Sequence, residues 1–172
     1  AVTKWEGVPG GAPANVAIGV QRLGLYSAGF VGCVGKDDPF GRKLQRMLID
    51  NGVDTSFVFY PGDNNNKEGD ADNIQTTLVF VAVWDDGRKD LCFYRGADRY
   101  INKEYITPAV FENARCFHYG SITLIDPPGA DAQRKALRIA REKGLLVTYD
   151  PNYRPTLWPD QSTARRVILE AF

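Results

Sequence analysis

Apolar strand-like runs alternate with stretches of helical period along much of this chain, and no other feature limits its fold as strongly. Leu25 to Val34 is apolar with interspersed glycine, as expected of a buried strand. Phe40, Leu44, Met47 and Leu48 then recur at helical spacing, and Gly52 supplies the stop. Further on, Arg115 to Tyr119 reads as a strand. Ala132, Ala136, Ile139 and Ala140 define a helix closed by Gly144, and Leu145 to Tyr149 returns to strand. Short connections between such elements predict an α/β protein with a parallel sheet. Ala164, Val167, Ile168 and Ala171 mark a last helix with no capping signal after it.

Composition narrows the function classes. The 172 residues are 44% apolar and 24% charged, the mix of a globular protein with material for a real core. Lys plus Arg and Asp plus Glu number 21 each, so no net field favours nucleic acid or an anionic membrane. Any anionic ligand must be held by local groups. Cys33, Cys92 and Cys116 are odd in number and far apart, and His118 is the sole histidine, which argues against a zinc site or a disulfide framework. Reduced thiols and a cytoplasmic setting are expected. The apolar run Leu78 to Trp84 is too short to span a bilayer, and no signal peptide is visible at residue 1. With no initial methionine and an end inside a helical pattern, the chain reads as part of a longer protein.

Two glycines at Gly10 and Gly11 stand before the first helix. Residues 2–8 read as a short strand leading into them, and residues 13–23 as a helix with Val16, Val20 and Leu23 on one face. Pro13 suits the first helical turn. Such a turn presents free amides to a polar ligand, and Asn15 adds a side chain that donates and accepts. Plain turn chemistry would read the same.

Residues 61–75 are polar and read as an exposed flexible loop. Thr76 to Trp84 and Lys89 to Tyr94 follow as two strands joined across Asp85-Asp86-Gly87-Arg88, a hairpin signal. An antiparallel hairpin set into an α/β chain suggests an appended lid or dimerisation flap. In open parallel sheets ligands bind beyond the carboxyl ends of the strands. Asp150-Pro151-Asn152-Tyr153-Arg154 sits at such an end and offers a guanidinium suited to phosphate, though a capped strand-end turn fits equally. Phe93-Tyr94-Arg95-Gly96-Ala97-Asp98 suits a polyhydroxylated ligand, or an ordinary solvated strand end. In Val34-Gly35-Lys36-Asp37-Asp38-Pro39-Phe40-Gly41, Asp38 reads as a helix cap with Pro39 at the first position. His118, between Phe117 and Tyr119, reads as a sheet residue with one hydrogen bond rather than a base.

Together, Gly10 to Ala17, Phe93 to Asp98, Phe117 to Ser121 and Asp150 to Arg154 followed by Leu157-Trp158 resemble the ribokinase-like carbohydrate kinases, and within them the fructokinase branch. The four segments occur in the family's order and cover nearly the whole chain. The resemblance implies a ribokinase-like three-layer α/β sandwich with a mostly parallel sheet and a small β lid, incomplete in this chain. Residues 1–172 would form the N-terminal part of one sugar kinase domain, with lid strands near 2–8 and 76–95. It further implies ATP and Mg²⁺ as cofactors and phosphorylation of a sugar, D-fructose to fructose 6-phosphate. Gly10, Gly11, Asn15, Arg95 and Asp98 would bind the sugar, and Lys36, Asn152 and Arg154 the nucleotide phosphates. The resemblance places the catalytic base, an Asp in a Gly-rich motif, beyond Phe172, so the 172 residues are expected to be inactive alone. A homodimer through the lid is a further implication. The alternatives are a 2-keto-3-deoxygluconate kinase and a non-catalytic kinase-like interaction subunit.

Overall fold

The computed structural model describes residues 6–62 and 73–172. Helix α1 (Ala12–Leu23) leads to strand β1 (Gly29–Cys33), helix α2 (Pro39–Asp50) and strand β2 (Asp54–Phe59). A hairpin of β3 (Leu78–Val83) and β4 (Lys89–Tyr94) follows, then short 3-10 turns. Strand β5 (Cys116–Gly120), helix α3 (Gly129–Glu142), strand β6 (Leu146–Asp150) and helix α4 (Gln161–Glu170) complete the order.

β1 and β2 pair in parallel, from Gly29 opposite Asp54 to Cys33 opposite Phe59, with an irregularity after Gly29. β5 and β6 pair in parallel from Cys116 opposite Leu146 to Gly120 opposite Asp150. The expected parallel pairing is therefore present, as two separate two-stranded ladders among the described residues. Helix α1 packs against both β1 and β5, and one core joins the two pairs. That core places Cys33, Tyr105, Ile106 and Phe111 against Ala132, Ala136, Ile139 and Ala140 of α3, with Phe59, Phe117 and Val147 packed onto it. Burying each large side chain there is worth roughly 1.5–3 kcal/mol, and the alanine face of α3 permits close approach.

Local chemistry explains the boundaries. Gly24 closes α1 in the left-handed region (φ 70°), Gly52 ends α2 (φ 76°), and Gly144 follows α3 (φ 68°). Asp38 caps α2, accepting from the Gly41 amide at 2.7 Å, with Pro39 in the first turn. Asp160 caps α4 through the Thr163 amide at 2.8 Å.

The structure departs from these expectations at several places. The buried face of α1 is Ala14, Ala17 and Ile18, whereas Val16 is 40% and Leu23 75% exposed. A helix lying against two strands at once presents its small side chains, because they let the backbones approach. On α2, Leu48 is buried while Phe40 is 46% exposed. Strand β2 lies in a stretch not read as a strand from sequence. Of the strand expected at 2–8, residues 2–5 lie outside the described residues and Glu6–Val8 join no ladder among them. Residues 63–72 of the loop expected at 61–75 also lie outside them.

Candidate active site

The carboxyl ends of the strands carry most of the residues singled out from sequence. Gly11 stands before α1 at φ 114°, a backbone region that glycine occupies without strain, and its carbonyl accepts from the Asn15 amide at 2.9 Å. Among the described residues no side chain caps this helix start. Gly10, Gly11 and Asn15 are all exposed. The first turn is seated on the end of β5: a Cβ on Gly120 would lie 3.9 Å from the Pro13 ring and 3.4 Å from the Asp150 carbonyl. The Ser121 hydroxyl donates to the Pro151 carbonyl, drawing the ends of β5 and β6 together. The glycine turn and the Asp150–Arg154 segment therefore converge on one edge.

At that edge the Asn152 amide donates to the Asp150 carboxylate at 3.0 Å, and Asn152 adopts φ 41°. A left-handed non-glycine residue is a local strain that asparagine tolerates better than most. Arg154 is exposed and donates to the Tyr153 carbonyl at 3.4 Å; with no carboxylate partner among the described residues, its fork is available to an anion. Lys36 is exposed in the loop after β1.

Arg95 and Asp98 meet each other. The Arg95 Nε donates to an Asp98 carboxylate oxygen at 2.6 Å, and the Arg95 side chain is only 11% exposed. The other Asp98 oxygen accepts from the Thr77 hydroxyl, which in turn accepts from the Gly96 amide at 2.8 Å. Beside this network lies a cleft of about 280 Å³ lined by Leu78, Tyr94, Arg95, Arg99 and Tyr100, among others. Aromatic faces and guanidinium groups are apt for a hydroxylated ligand. β1 links the two groups of residues, because α1 and the segment Ala97–Tyr100 both pack against it.

The sequence reading of His118 agrees with its surroundings: its Nδ1 lies 2.9 Å from the Thr148 hydroxyl across the β5–β6 ladder. Asp38 does more than cap. Its carboxylate also accepts from the Thr76 amide and hydroxyl, at 2.8 and 2.7 Å, and it is 2% exposed. Burial alone would raise its pKa, but the donors from Gly41, Thr76 and Phe40 together hold it below the ordinary value of 3.8. Burial also pushes the Tyr149 phenol up to about 12, with help from Tyr119 and Asp150. Thr76 and Thr77 were not singled out from sequence; the only available signal is a pair of hydroxyls at the foot of a hairpin. Among the described residues no three His, Cys, Asp or Glu side chains are grouped to hold a metal ion.

Known proteins resemble this chain in sequence and in fold. Fructokinase-1 of Zea mays is 44% identical over 163 residues, which is 94% of this chain and 47% of that protein. The crystal structure of a fructokinase with bound ATP from Xylella fastidiosa superposes with a TM-score of 0.79 at 33% identity, covering 94% of this chain and 47% of that one. A fructokinase double mutant from Vibrio cholerae O395, in fructose, ADP and potassium ion bound form, gives a TM-score of 0.76 at 29% identity, with coverage of 94% and 48%. The chain thus spans about half the length of the curated relatives it matches. The family model for the pfkB family carbohydrate kinases matches residues 1–172, and with the strand-end geometry and these likenesses in agreement, the chain belongs to that family.

Proposed function

We propose that this chain forms the sugar-side part of an ATP-dependent fructokinase that converts D-fructose to fructose 6-phosphate. The observation that carries the reading is the seating of the Gly10–Asn15 turn on the joined ends of β5 and β6, in a chain 44% identical to a plant fructokinase. Gly10, Gly11 and Asn15 offer an open turn and an amide side chain to sugar hydroxyls. Arg95 approaches from the foot of the hairpin, and Asp98 holds it in place. Asn152 and Arg154, with Lys36 as a further cation, receive the nucleotide phosphates, where positive charge offsets charge developing in phosphoryl transfer. The exposed Arg154 fork fits a phosphate oxygen pair. Mg²⁺ would screen the phosphate charge and would enter on the nucleotide. The base that takes the sugar proton is assigned to the remainder of the enzyme, so the 172 residues alone should transfer no phosphoryl group.

A cytoplasmic setting is part of the same reading; no helix among the described residues is long and apolar enough to cross a membrane. The hairpin exposes Val79, Val81, Val83 and Leu91 on one face, and Phe80 and Tyr94 on the other. Two apolar faces on one projecting hairpin support a homodimer formed through it.

The assignment of roles is tested in the full-length protein by steady-state kinetics of Asn15→Ala and Arg154→Ala. Asn15→Ala should raise KM for fructose and leave KM for ATP near wild type, and Arg154→Ala should do the reverse. Equal effects of either variant on both substrates would overturn the assignment.

A further inference from the structure

The carboxylate of Asp38 has two oxygens, and capping α2 uses one of them. Oδ1 accepts from the Gly41 amide, while Oδ2 accepts from the amide and hydroxyl of Thr76, at the foot of β3. The Thr76 hydroxyl accepts in turn from the Gly35 amide at 2.9 Å. The whole cluster is buried, with Asp38 at 2% and Thr76 at 8% exposure. A helix cap alone has no need of a partner 38 residues away.

Glycines enclose the same point. A Cβ on Gly35 would fall 1.9 Å from the Asp38 carboxylate and 2.7 Å from the Ile74 carbonyl. One on Gly41 would fall 2.6 Å from the Gly35 carbonyl and 2.8 Å from the Thr76 hydroxyl. On the far side, one on Gly96 would fall 2.0 Å from the Gln75 carbonyl. That carbonyl accepts from the Ala97 amide at 2.8 Å, and the Thr77 hydroxyl accepts from the Gly96 amide. The feet of β3 and β4 are thus pressed together at residues 74–77, and Asp38 fastens them to the loop after β1. Among the described residues both faces of the hairpin beyond these feet are largely exposed, so the contacts found to orient it lie at the feet.

We propose that Asp38 and Thr76 form a hinge latch that sets the angle of the β3–β4 hairpin, making Asp38 a positioning residue for closure of the hairpin over the sugar. The closure half of this proposal rests on the fructokinase reading above; the latch itself does not. Asp38→Asn separates the two duties, because asparagine still caps a helix but its amide nitrogen cannot accept from Thr76. Thr76→Val removes the hydroxyl at nearly constant volume, and Thr76→Ser restores it.

The experiment has two arms on the full-length protein. In hydrogen exchange, Thr76→Val should speed exchange at Gly35 and also at Gly96 and Ala97 across the hinge, with helix α3 unchanged. In kinetics, Asp38→Asn and Thr76→Val should raise KM for the sugar about tenfold with KM for ATP within about twofold, the scale of one lost hydrogen bond to a charged group, and Thr76→Ser should reverse most of it. Exchange that quickens at Gly35 alone overturns the latch. An unchanged sugar KM, equal rises for both substrates, or failure of serine to rescue overturns the positioning role. If the wild-type protein consumes no ATP with any sugar, the fructokinase reading has failed, and the exchange arm alone decides the latch.

Discussion

Two glycine-to-alanine substitutions should move stability in opposite directions, and the structure sets both magnitudes. At Gly96 the new Cβ would lie 2.0 Å from the Gln75 carbonyl oxygen and 3.1 Å from its carbon. The obstacle is backbone, and it is held by the Ala97 amide at 2.8 Å, so it cannot swing aside as a side chain would. Relief requires breaking that bond, at about 1 kcal/mol, and shifting the hinge, at roughly 1–3 kcal/mol more. The expected loss is about 2–4 kcal/mol. Gly19, in the middle of α1, has no other described residue within 4 Å of its Cβ position outside the helix's own backbone and its chain neighbours. Alanine there restricts the unfolded chain and should add about 0.5–1 kcal/mol. Urea unfolding followed by circular dichroism reads both. With m near ~2 kcal/mol/M, Gly96→Ala should lower the midpoint by about 1–2 M and Gly19→Ala should raise it by about 0.3–0.5 M. A Gly96→Ala midpoint equal to wild type would refute the claim that the hinge is tightly closed at Gln75.

Asp38 has its pKa lowered in the fold, so its stabilisation is full above the ordinary value of 3.8 and is lost as pH falls through the lower folded value. Urea midpoints measured in acid should therefore fall less steeply for Asp38→Asn than for wild type; parallel slopes would contradict this. The Tyr149 hydroxyl is buried with no hydrogen-bond partner among the described residues, so Tyr149→Phe should leave stability unchanged or raise it by about 1 kcal/mol. Because the Tyr149 pKa is raised to about 12, the stability of the wild-type protein should decline as pH climbs from 10 toward 12, and Tyr149→Phe should weaken that decline. The Asp160 carboxyl, held down first by the Ser162 hydroxyl and then by the Thr163 amide and hydroxyl, should titrate at about 2 by carbon NMR. A midpoint near 4 would contradict the cap geometry.

Much of the fold is legible in the sequence because helix stops and strand runs are local. Gly52 and Gly144 end helices where expected, and Asp38 with Pro39 begins one. Strand β2 was missed although Thr55, Phe57, Val58 and Phe59 supply strand-forming residues between Gly52 and Pro61. A run with only partial burial and no clean alternation gives a weak signal. The face of α1 was misjudged because hydrophobic size points to Val16 and Leu23, while packing against two strands selects Ala14 and Ala17. The placement of Asn152 and Arg154 just after a strand was readable from the apolar run Leu145 to Tyr149. The second oxygen of Asp38 was not, since its partner lies 38 residues away, with α2 and β2 between them. The pairing of Arg95 with Asp98 is a similar case, visible as a spacing of three but decided by the turn at Gly96.

The most direct test is to supply the full-length protein with fructose and ATP and to identify the product by phosphorus NMR. The account predicts ADP release that depends on fructose, with the new phosphate on the C6 hydroxyl, and no release from the 172 residues alone. Release with 2-keto-3-deoxygluconate but not fructose, or no sugar-dependent release at all, would contradict it.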